Sequence, residues 1–236
     1  MARGRASSTA AKPHSRAAEK RIGQSAAPAD PWAARIRKAV TEEAHPAQLG
    51  AILDTSRRIS ILTGRGGGKT TVYKGRLLIE MAETTRGKFL YVCPTLGMAI
   101  ELLWDPLKES LAALGIADEF TFMEAPREGG KIMLCKRTGS RLKLFGADDK
   151  KQINLCRGQP FNGVLCDEIA YWPSPELVAN YVEKVIEPRI GERNGWIGLE
   201  SSRGHELRGL FYDVTRDGSP DHRPYALRNE PEYAEW

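Results

Sequence analysis

Apolar and polar residues follow one another in blocks that predict strands and helices in turn. Six short apolar runs have the length and composition of buried strands: 59–62, 89–93, 132–135, 142–145, 164–166 and 196–199. Helical periodicity predicts helices over 70–84, 98–114, 176–187 and 206–214, after an amphipathic stretch over 32–40. Ser174 is expected to cap the third of these helices, with Pro175 as its first residue. Strands and helices that alternate over short connections predict an α/β domain with a mostly parallel sheet flanked by helices.

The first thirty residues differ from the rest of the chain in composition. They are rich in Ala, Ser, Pro and basic residues and contain few large apolar side chains, which predicts a disordered basic arm over 1–30. The formal net charge of the chain is +5, and this arm supplies +4 of it, because six Lys or Arg accompany two acidic residues. Two interpretations stay open: a loose attraction to nucleic-acid phosphates, or a plain solvated terminus.

Composition excludes several classes of protein. A chain of 236 residues that is 41% hydrophobic and 28% charged can bury a sizeable core. Its four cysteines stand far apart without a C-x-x-C pair, so we expect neither a disulfide framework nor a zinc knuckle. The four histidines stand singly, and no apolar run approaches the ~20 residues that cross a bilayer. We therefore expect no membrane partner and no histidine-based metal site.

A glycine-rich segment follows the first predicted strand and precedes a predicted helix. It reads Thr63-Gly64-Arg65-Gly66-Gly67-Gly68-Lys69-Thr70-Thr71. Glycines allow the backbone to turn so tightly that successive N–H groups and the helix N-terminus point at one anion. Lys69 would reach the β and γ phosphates of ATP, and the Thr70 hydroxyl would bind Mg²⁺. The strict phosphate-loop motif has glycine where this chain has Thr63, but the strand, the four glycines and the helix together predict a nucleoside triphosphate site.

An acidic pair, Asp167-Glu168, directly follows the predicted strand 164–166. An ATPase site needs such a pair at the end of a second parallel strand. Asp167 would hold the Mg²⁺ through water, and Glu168 would orient and deprotonate the attacking water. We therefore predict Lys69 and Glu168 as catalytic residues, with Thr70 and Asp167 as metal ligands.

Taken in order, these segments resemble the ATPase domain of the large subunit of tailed-phage terminases, the motors that package viral DNA. The resemblance extends over about 45–212. The segments that carry it are His45-Pro46-Ala47-Gln48, 64–70, 90–95, 139–149, 155–158, 167–170, 187–189, 201–204 and 210–213. The family tolerates a residue other than glycine at the position of Thr63. The resemblance implies a P-loop NTPase fold of the additional-strand, catalytic-glutamate type.

The resemblance also implies roles for individual residues. Gln48 is the candidate for adenine contact, and 64–71 would surround the phosphates. Arg65 would act as a sensor or finger in its own subunit, whereas Arg157 resembles the arginine that inserts into a neighbour's site. Ser201 and Ser202 resemble the segment that couples the γ-phosphate to DNA movement. Three further arginines compete with Arg157 for the role in trans: Arg189, Arg193 and Arg203.

The function implied by the resemblance is an ATP-hydrolysing motor that translocates double-stranded DNA into a procapsid. Such a motor would form a homo-oligomeric ring and bind a portal protein and a small terminase subunit. It would act in the cytoplasm of the host cell and would not be part of the mature virion. Two alternatives remain: a helicase-like nucleic-acid translocase, and a nucleotide-binding scaffold without turnover by the isolated chain.

Large terminases usually continue into a nuclease domain that holds a cluster of carboxylates. Asp213, Asp217 and Asp221 have helical spacing, but Gly218 and Pro220 would break that helix. We therefore expect no nuclease activity from this chain, either because it is an excised ATPase domain or because another chain cuts the DNA. The expected organisation is the arm, an ATPase domain over 31–216, and an extension or the start of a linker over 217–236.

A group of basic residues lies close together in the sequence near a candidate β-hairpin. It consists of Lys136, Arg137, Arg141, Lys143, Lys150 and Lys151. This group would either face DNA or form a solvated sheet edge.

Overall fold

The computed structural model describes residues 30–63, 66–125, 130–148, 154–202 and 223–227. The helices are α1 (Pro31–Glu43), α2 (Pro46–Ile52), α3 (Lys69–Glu83), α4 (Leu96–Ala99), α5 (Asp105–Ala113), α6 (Pro175–Ala179) and α7 (Glu187–Gly191). The strands are β1 (Arg58–Thr63), β2 (Lys88–Cys93), β3 (Phe120–Ala125), β4 (Gly130–Cys135), β5 (Arg141–Gly146), β6 (Gly163–Cys166), β7 (Trp196–Ser201) and β8 (Arg223–Leu227). Two π-helical segments, Ile100–Trp104 and Asn180–Ile186, join α4 to α5 and α6 to α7.

The strands form one eight-stranded sheet in the order β3-β4-β5-β2-β6-β7-β1-β8. All neighbours from β5 to β8 are parallel, whereas β4 is antiparallel to both β3 and β5. The prediction of a mostly parallel sheet flanked by helices is confirmed. Because β6, β7 and β1 are adjacent and parallel, the segments that follow their carboxyl ends emerge at one place on the sheet edge.

Helices cover both faces of the sheet and bury two apolar cores. One core packs α1, α3 and α5 against the sheet, and the other packs the segment from α6 to α7 against the opposite face. Strand β2 contributes to both, with Phe89 in the first core and Leu90 in the second. A strand that is buried on both faces has a continuous apolar sequence, which is why the run 89–93 predicted it.

Local capping sets where two helices begin. The Ser174 hydroxyl accepts a hydrogen bond from the Leu177 N–H at 3.1 Å, and Pro175 is the first helical residue, as predicted. Asp30 caps α1 in the same way, since its Oδ1 accepts from the Trp32 N–H at 2.9 Å. These caps satisfy backbone donors that have no partner within the helix.

Two predicted helices, 98–114 and 176–187, contain π-helical segments that periodicity did not indicate. A proline follows each segment by two residues, Pro106 in the first case and Pro188 in the second. Because proline has no N–H and its ring crowds the carbonyl four residues earlier, the preceding turn widens at these positions.

Three elements were not predicted. Helix α2 has only seven residues and contains Gly50, and β3 lies at the edge of the sheet. Strand β8 pairs in parallel with β1, so residues 223–227, predicted to belong to an extension, form part of the same sheet. The predicted helix over 206–214, the three aspartates near 217 and the N-terminal arm before Asp30 lie outside the described residues.

In the described ranges no helix is long and apolar enough to cross a membrane.

Candidate nucleotide-binding and catalytic site

The predicted site residues gather at the carboxyl edge of three adjacent strands. The phosphate loop connects β1 to α3, the acidic pair follows β6, and Ser201 ends β7 with Ser202 directly after it. Strand β7 lies between β6 and β1 in the sheet. The fold therefore brings together residues that are more than a hundred positions apart in sequence.

The described part of the phosphate loop has the backbone geometry that its glycines permit. Gly66 and Gly68 have φ angles of 78° and 76°, in the left-handed region that favours glycine. Gly68 is the N-cap of α3, so Lys69, Thr70 and Thr71 form the first turn of that helix. The free N–H groups and the dipole of this turn favour an anion. Gly64 and Arg65 lie outside the described residues, and Gly67 is half-buried.

Gln48 lies against the phosphate loop. Its Oε1 accepts a hydrogen bond from the His45 N–H at 2.9 Å, which completes the N-terminal cap of α2. Its Nε2 donates to the Gly68 carbonyl at 3.4 Å. The space that a Cβ on Gly68 would take is occupied by this amide, since the distance to Gln48 Nε2 would be 2.0 Å. The structure thus places the residue predicted to contact adenine next to the loop that would hold the phosphates.

Asp167 is a buried carboxylate with fixed orientation. It is 4% exposed, its Oδ2 accepts a short hydrogen bond from the Tyr91 hydroxyl, and its Oδ1 accepts from the Glu168 N–H at 2.7 Å. The Trp172 indole donates to the Asp167 carbonyl at 3.0 Å and so fixes the turn that follows β6. These contacts hold the carboxylate at the carboxyl edge of the sheet.

Glu168 forms an ion pair with Lys69. Its Oε1 lies 2.5 Å from Lys69 Nζ, and its backbone has a φ of 47°, which is uncommon for a residue with a side chain. Burial acts to raise the pKa of Glu168, but the hydrogen bond and charge of Lys69 and the donors of Ser202 outweigh it, so this pKa lies below its ordinary value. Burial likewise acts to lower the pKa of Lys69, and the carboxylates of Glu200 and Glu168 reverse that effect. Both side chains are therefore charged at neutral pH.

The two serines predicted to couple hydrolysis to movement contact the same glutamate. Glu168 Oε2 accepts from the Ser201 and Ser202 hydroxyls at 3.2 Å each, and the Ser202 N–H lies within 3.5 Å. Ser201 Oγ also accepts from the Ala170 N–H at 3.3 Å. Glu168 thus joins the lysine of the phosphate loop to the end of β7.

Sequence reasoning missed Glu200, which precedes these serines in β7. Its side chain is 0% exposed, and its Oε1 lies 3.0 Å from Lys69 Nζ. Burial and the neighbouring Asp167 carboxylate raise the pKa of Glu200 well above its ordinary value. An available signal was that Glu200 directly follows the apolar run 196–199, as Asp167 directly follows the apolar run 164–166.

The arrangement also fits a magnesium ion. Thr70 supplies a hydroxyl and Asp167 a carboxylate, whose Oδ2 accepts from the Tyr91 hydroxyl and whose Oδ1 accepts from the Glu168 N–H. Magnesium in ATPase sites is held by one or two protein oxygens together with phosphates and waters. Within the described residues no group of three or more His, Cys, Asp or Glu is arranged to hold a metal by itself.

The candidate arginines lie in different places. Arg157 is exposed and donates to Asn154 Oδ1 at 3.2 Å. Arg189 and Arg193 lie at the opposite, amino edge of the sheet: the Arg189 carbonyl accepts from the Phe161 N–H just before β6, and the Arg193 guanidinium contacts Asn162. These contacts place both residues at the edge opposite the site. Arg65 and Arg203 lie outside the described residues.

The basic residues near the hairpin lie in different environments. Lys136 and Arg137 lie in the turn between β4 and β5 at the amino edge, where they bind the Asp118 carbonyl and the Glu119 carboxylate at 2.6 and 2.9 Å. Lys143 is buried within β5 at 8% exposure, and Lys150 and Lys151 are not among the described residues. Lys136, Arg137 and Arg141 are exposed at this edge, so DNA contact and a solvated sheet edge both stay predictions for them, whereas buried Lys143 is not part of that surface.

Comparisons with known proteins identify the fold. No protein-family model matches the chain, and no curated protein has a significant sequence match to it. The ATPase domain of the large terminase of Thermus phage P74-26 matches with a TM-score of 0.61 and 19% identity, over 80% of this chain and 82% of that domain. The large terminase of a thermophilic bacteriophage, solved in complex with ADP, matches with a TM-score of 0.58 and 16% identity, over 77% of this chain and 45% of that protein.

A helicase shares the same architecture. The DUF1998 helicase MrfA bound to DNA matches with a TM-score of 0.55 and 18% identity, over 81% of this chain and 29% of the helicase. The chain therefore has the fold of the P-loop ATPase domains found in phage large terminases and in helicases, and it spans less than half the length of the terminase that was solved with ADP.

Proposed function

We propose that this chain is the ATP-hydrolysing motor domain of a viral large terminase that moves double-stranded DNA into a procapsid. The fold it shares with terminase ATPase domains supports this proposal. The observation that carries it is the position of Glu168, which contacts Lys69 of the phosphate loop and also Ser201 and Ser202 at the end of β7. One carboxylate thus links the residue that would hold the phosphates to the segment predicted to transmit movement.

The chemistry would be in-line attack of water on the γ-phosphate of ATP. Lys69 and the N-terminus of α3 would neutralise charge on the β and γ phosphates, and Glu168 would orient the water and accept its proton. Thr70 and Asp167 would hold Mg²⁺, which supplies further positive charge to the phosphates when bound. Gln48 and the glycines from 66 to 68 would shape the loop around the phosphates.

The ion pair between Lys69 and Glu168 gives this mechanism a specific feature. Phosphate oxygens must compete with Glu168 for the Lys69 ammonium, which lies 2.5 Å from the carboxylate. When the phosphates take the ammonium, the two serine hydroxyls still hold Glu168 Oε2. The carboxylate then has one oxygen free to accept a proton from water while its position is kept.

The partners of the motor are part of the same proposal. Exposed Arg157 can extend toward a neighbouring subunit, which fits a ring in which each site receives an arginine in trans. The proposal includes a portal protein, a small terminase subunit and action in the host-cell cytoplasm. It assigns DNA cleavage to another chain or segment.

Steady-state ATP hydrolysis tests the proposal, measured with and without linear double-stranded DNA over a range of protein concentration. We expect a rate per subunit that rises with concentration and with DNA. Glu168→Gln should lower turnover by at least ~10²-fold while ATP binding persists, because it removes the base and keeps the shape. Exposed Glu109 on α5 provides the matched control, since Glu109→Gln changes the same chemical group away from the site. Turnover that survives Glu168→Gln would overturn the assignment of the base.

A helicase-like translocase is the second candidate, favoured by the structural likeness to MrfA. Unwinding of a labelled duplex by the chain would support it over packaging. A negligible hydrolysis rate at every concentration, together with measurable ATP binding, would instead support a nucleotide-binding scaffold.

A further inference from the structure

Glu200 is an acidic side chain inside the sheet layer of the protein. It lies in β7, opposite Ile61 of β1, and its residue is 0% exposed. Its strand neighbour Leu199 pairs with Cys166, so Glu200 comes beside Asp167 on the face that α3 covers. A carboxyl group in such a place is unfavourable unless a positive group accompanies it.

The positive group is the Lys69 ammonium. Lys69 Nζ lies 3.0 Å from Glu200 Oε1 and 2.5 Å from Glu168 Oε1, so two carboxyl groups share it. Another polar neighbour of Glu200 is Asp167, whose charge and side-chain hydrogen bond help to raise the pKa of Glu200. Lys69 is therefore the positive group that favours a charged acid at this position.

The two glutamates differ in what else they can do. Glu168 is partly exposed and has the Ser201 and Ser202 hydroxyls as further partners. Glu200 is enclosed in β7, with none of its surface exposed. An ammonium has three donors, so Lys69 can keep one on Glu200 while another moves from Glu168 to a phosphate oxygen.

We propose that Glu200 is a positioning residue. From its place in β7 it keeps the Lys69 ammonium beside the phosphate loop, so that Glu168 can be released from Lys69 and act as the base. The role rests on the proposed ATPase function. Without Glu200, the ammonium has Glu168 as its acidic partner, and the phosphates compete with the base itself for the lysine.

Substitution by leucine separates positioning from packing. Glu200→Leu replaces the carboxyl group with apolar atoms of similar volume. The variant therefore tests whether the acid contributes to the free energy of unfolding or to the position of Lys69. Glu200→Gln keeps a carbonyl oxygen within reach of Lys69 and is the conservative variant. The matched control is Ser60→Ala in β1, because Ser60 is also 0% exposed but pairs with Leu199 and so lies on the other face of the sheet.

We expect Glu200→Leu to lower kcat for ATP about tenfold or more and to raise KM as well, because Lys69 is no longer aimed at the γ-phosphate in the bound ATP or in the transition state. Glu200→Gln should recover most of that loss, and Ser60→Ala should show none. A purely structural role predicts the opposite pattern, with altered unfolding temperatures and an unchanged kcat. Wild-type kcat in folded Glu200→Leu would overturn the proposal.

A binding measurement keeps the test independent of turnover. We expect the affinity for ATPγS to fall about tenfold in Glu200→Leu, with a smaller change for ADP, which lacks the γ-phosphate. If the wild-type chain binds ATPγS but hydrolyses no ATP, the proposed function fails while this comparison still reports on Glu200. Equal ATPγS affinity in wild type and Glu200→Leu would overturn the positioning role, whatever the rate of hydrolysis.

Discussion

Replacing Gly68 by alanine should destabilise the protein more than replacing Gly66, although the two backbones are alike. Both glycines have φ near +77°, with values of 76° and 78°. A Cβ on Gly68 would lie 2.0 Å from Gln48 Nε2, whereas a Cβ on Gly66 meets no described atom within 4 Å. The pair therefore separates backbone strain from steric conflict at the phosphate loop.

The expected magnitudes follow from these contacts. The left-handed backbone alone costs about 1–2 kcal/mol in either variant. Gly68→Ala must also displace the Gln48 amide, which loses its bonds to the His45 N–H and the Gly68 carbonyl. At about 0.5–1.5 kcal/mol for each bond, with the 3.4 Å bond at the low end, the extra cost is about 1–2 kcal/mol.

Thermal and urea unfolding of both variants, each with and without Gln48→Ala, measures this difference. We expect Gly68→Ala to unfold at a lower temperature than Gly66→Ala, by roughly 2–4 °C per kcal/mol for a domain of this size. The gap should close when Gln48→Ala is added, because the conflicting amide is gone. A gap that persists in that background, or equal losses in the first place, would refute the steric explanation.

Two further predictions concern the acidic pair. Tyr91→Phe removes the hydroxyl that donates to buried Asp167 and should lower the free energy of unfolding by about 1–3 kcal/mol. Tyr73→Phe should lower it less, because the buried Tyr73 hydroxyl has no hydrogen bond among the described residues. Equal losses of the two variants in urea unfolding would contradict this prediction. The pKa of Glu168 is lowered from 4.5 in the folded state, so the unfolded chain binds the proton more tightly. The ionised Glu168 side chain therefore stabilises the folded state above pH 4.5, and this stabilisation is lost as pH falls through the folded pKa. Urea unfolding over about pH 3 to 6 should show a shallower acid loss for Glu168→Gln than for wild type, and parallel profiles would show that the ion pair with Lys69 does not contribute.

The sequence carried enough information for the six predicted strands and for the phosphate loop. Strands such as β2 and β6 are buried on both faces, so their sequences are continuous apolar runs that stand out from the helical periodicity around them. The loop and the acidic pair stand out because each combines an unusual composition with a position directly after such a run. Ser174 was found because its side chain caps a helix that begins with proline.

Other elements depend on contacts that no local pattern records. Helix α2 is short, and its cap is a reciprocal pair formed by His45 and Gln48, where a histidine takes the place of the usual hydroxyl residue. The edge strand β3 owes its position to pairing with β4, and β8 owes its position to pairing with β1. For β3 and β8, pairing with the neighbouring strand determines the structure more than the local sequence does.

Glu200 shows what strand order adds to a sequence. In the parallel pair β6 and β7, Cys166 lies opposite Leu199, so the next residue of each strand, Asp167 and Glu200, must also come side by side. In the neighbouring pair, Glu200 lies opposite Ile61, two residues before the phosphate loop begins. Side chains that alternate along parallel strands in register share a face, so Glu200 is directed to the same side as Asp167 and α3. Once the order β6-β7-β1 is known, an acid at position 200 is placed on the face that α3 covers, and there its Oε1 lies 3.0 Å from Lys69 Nζ at the start of α3.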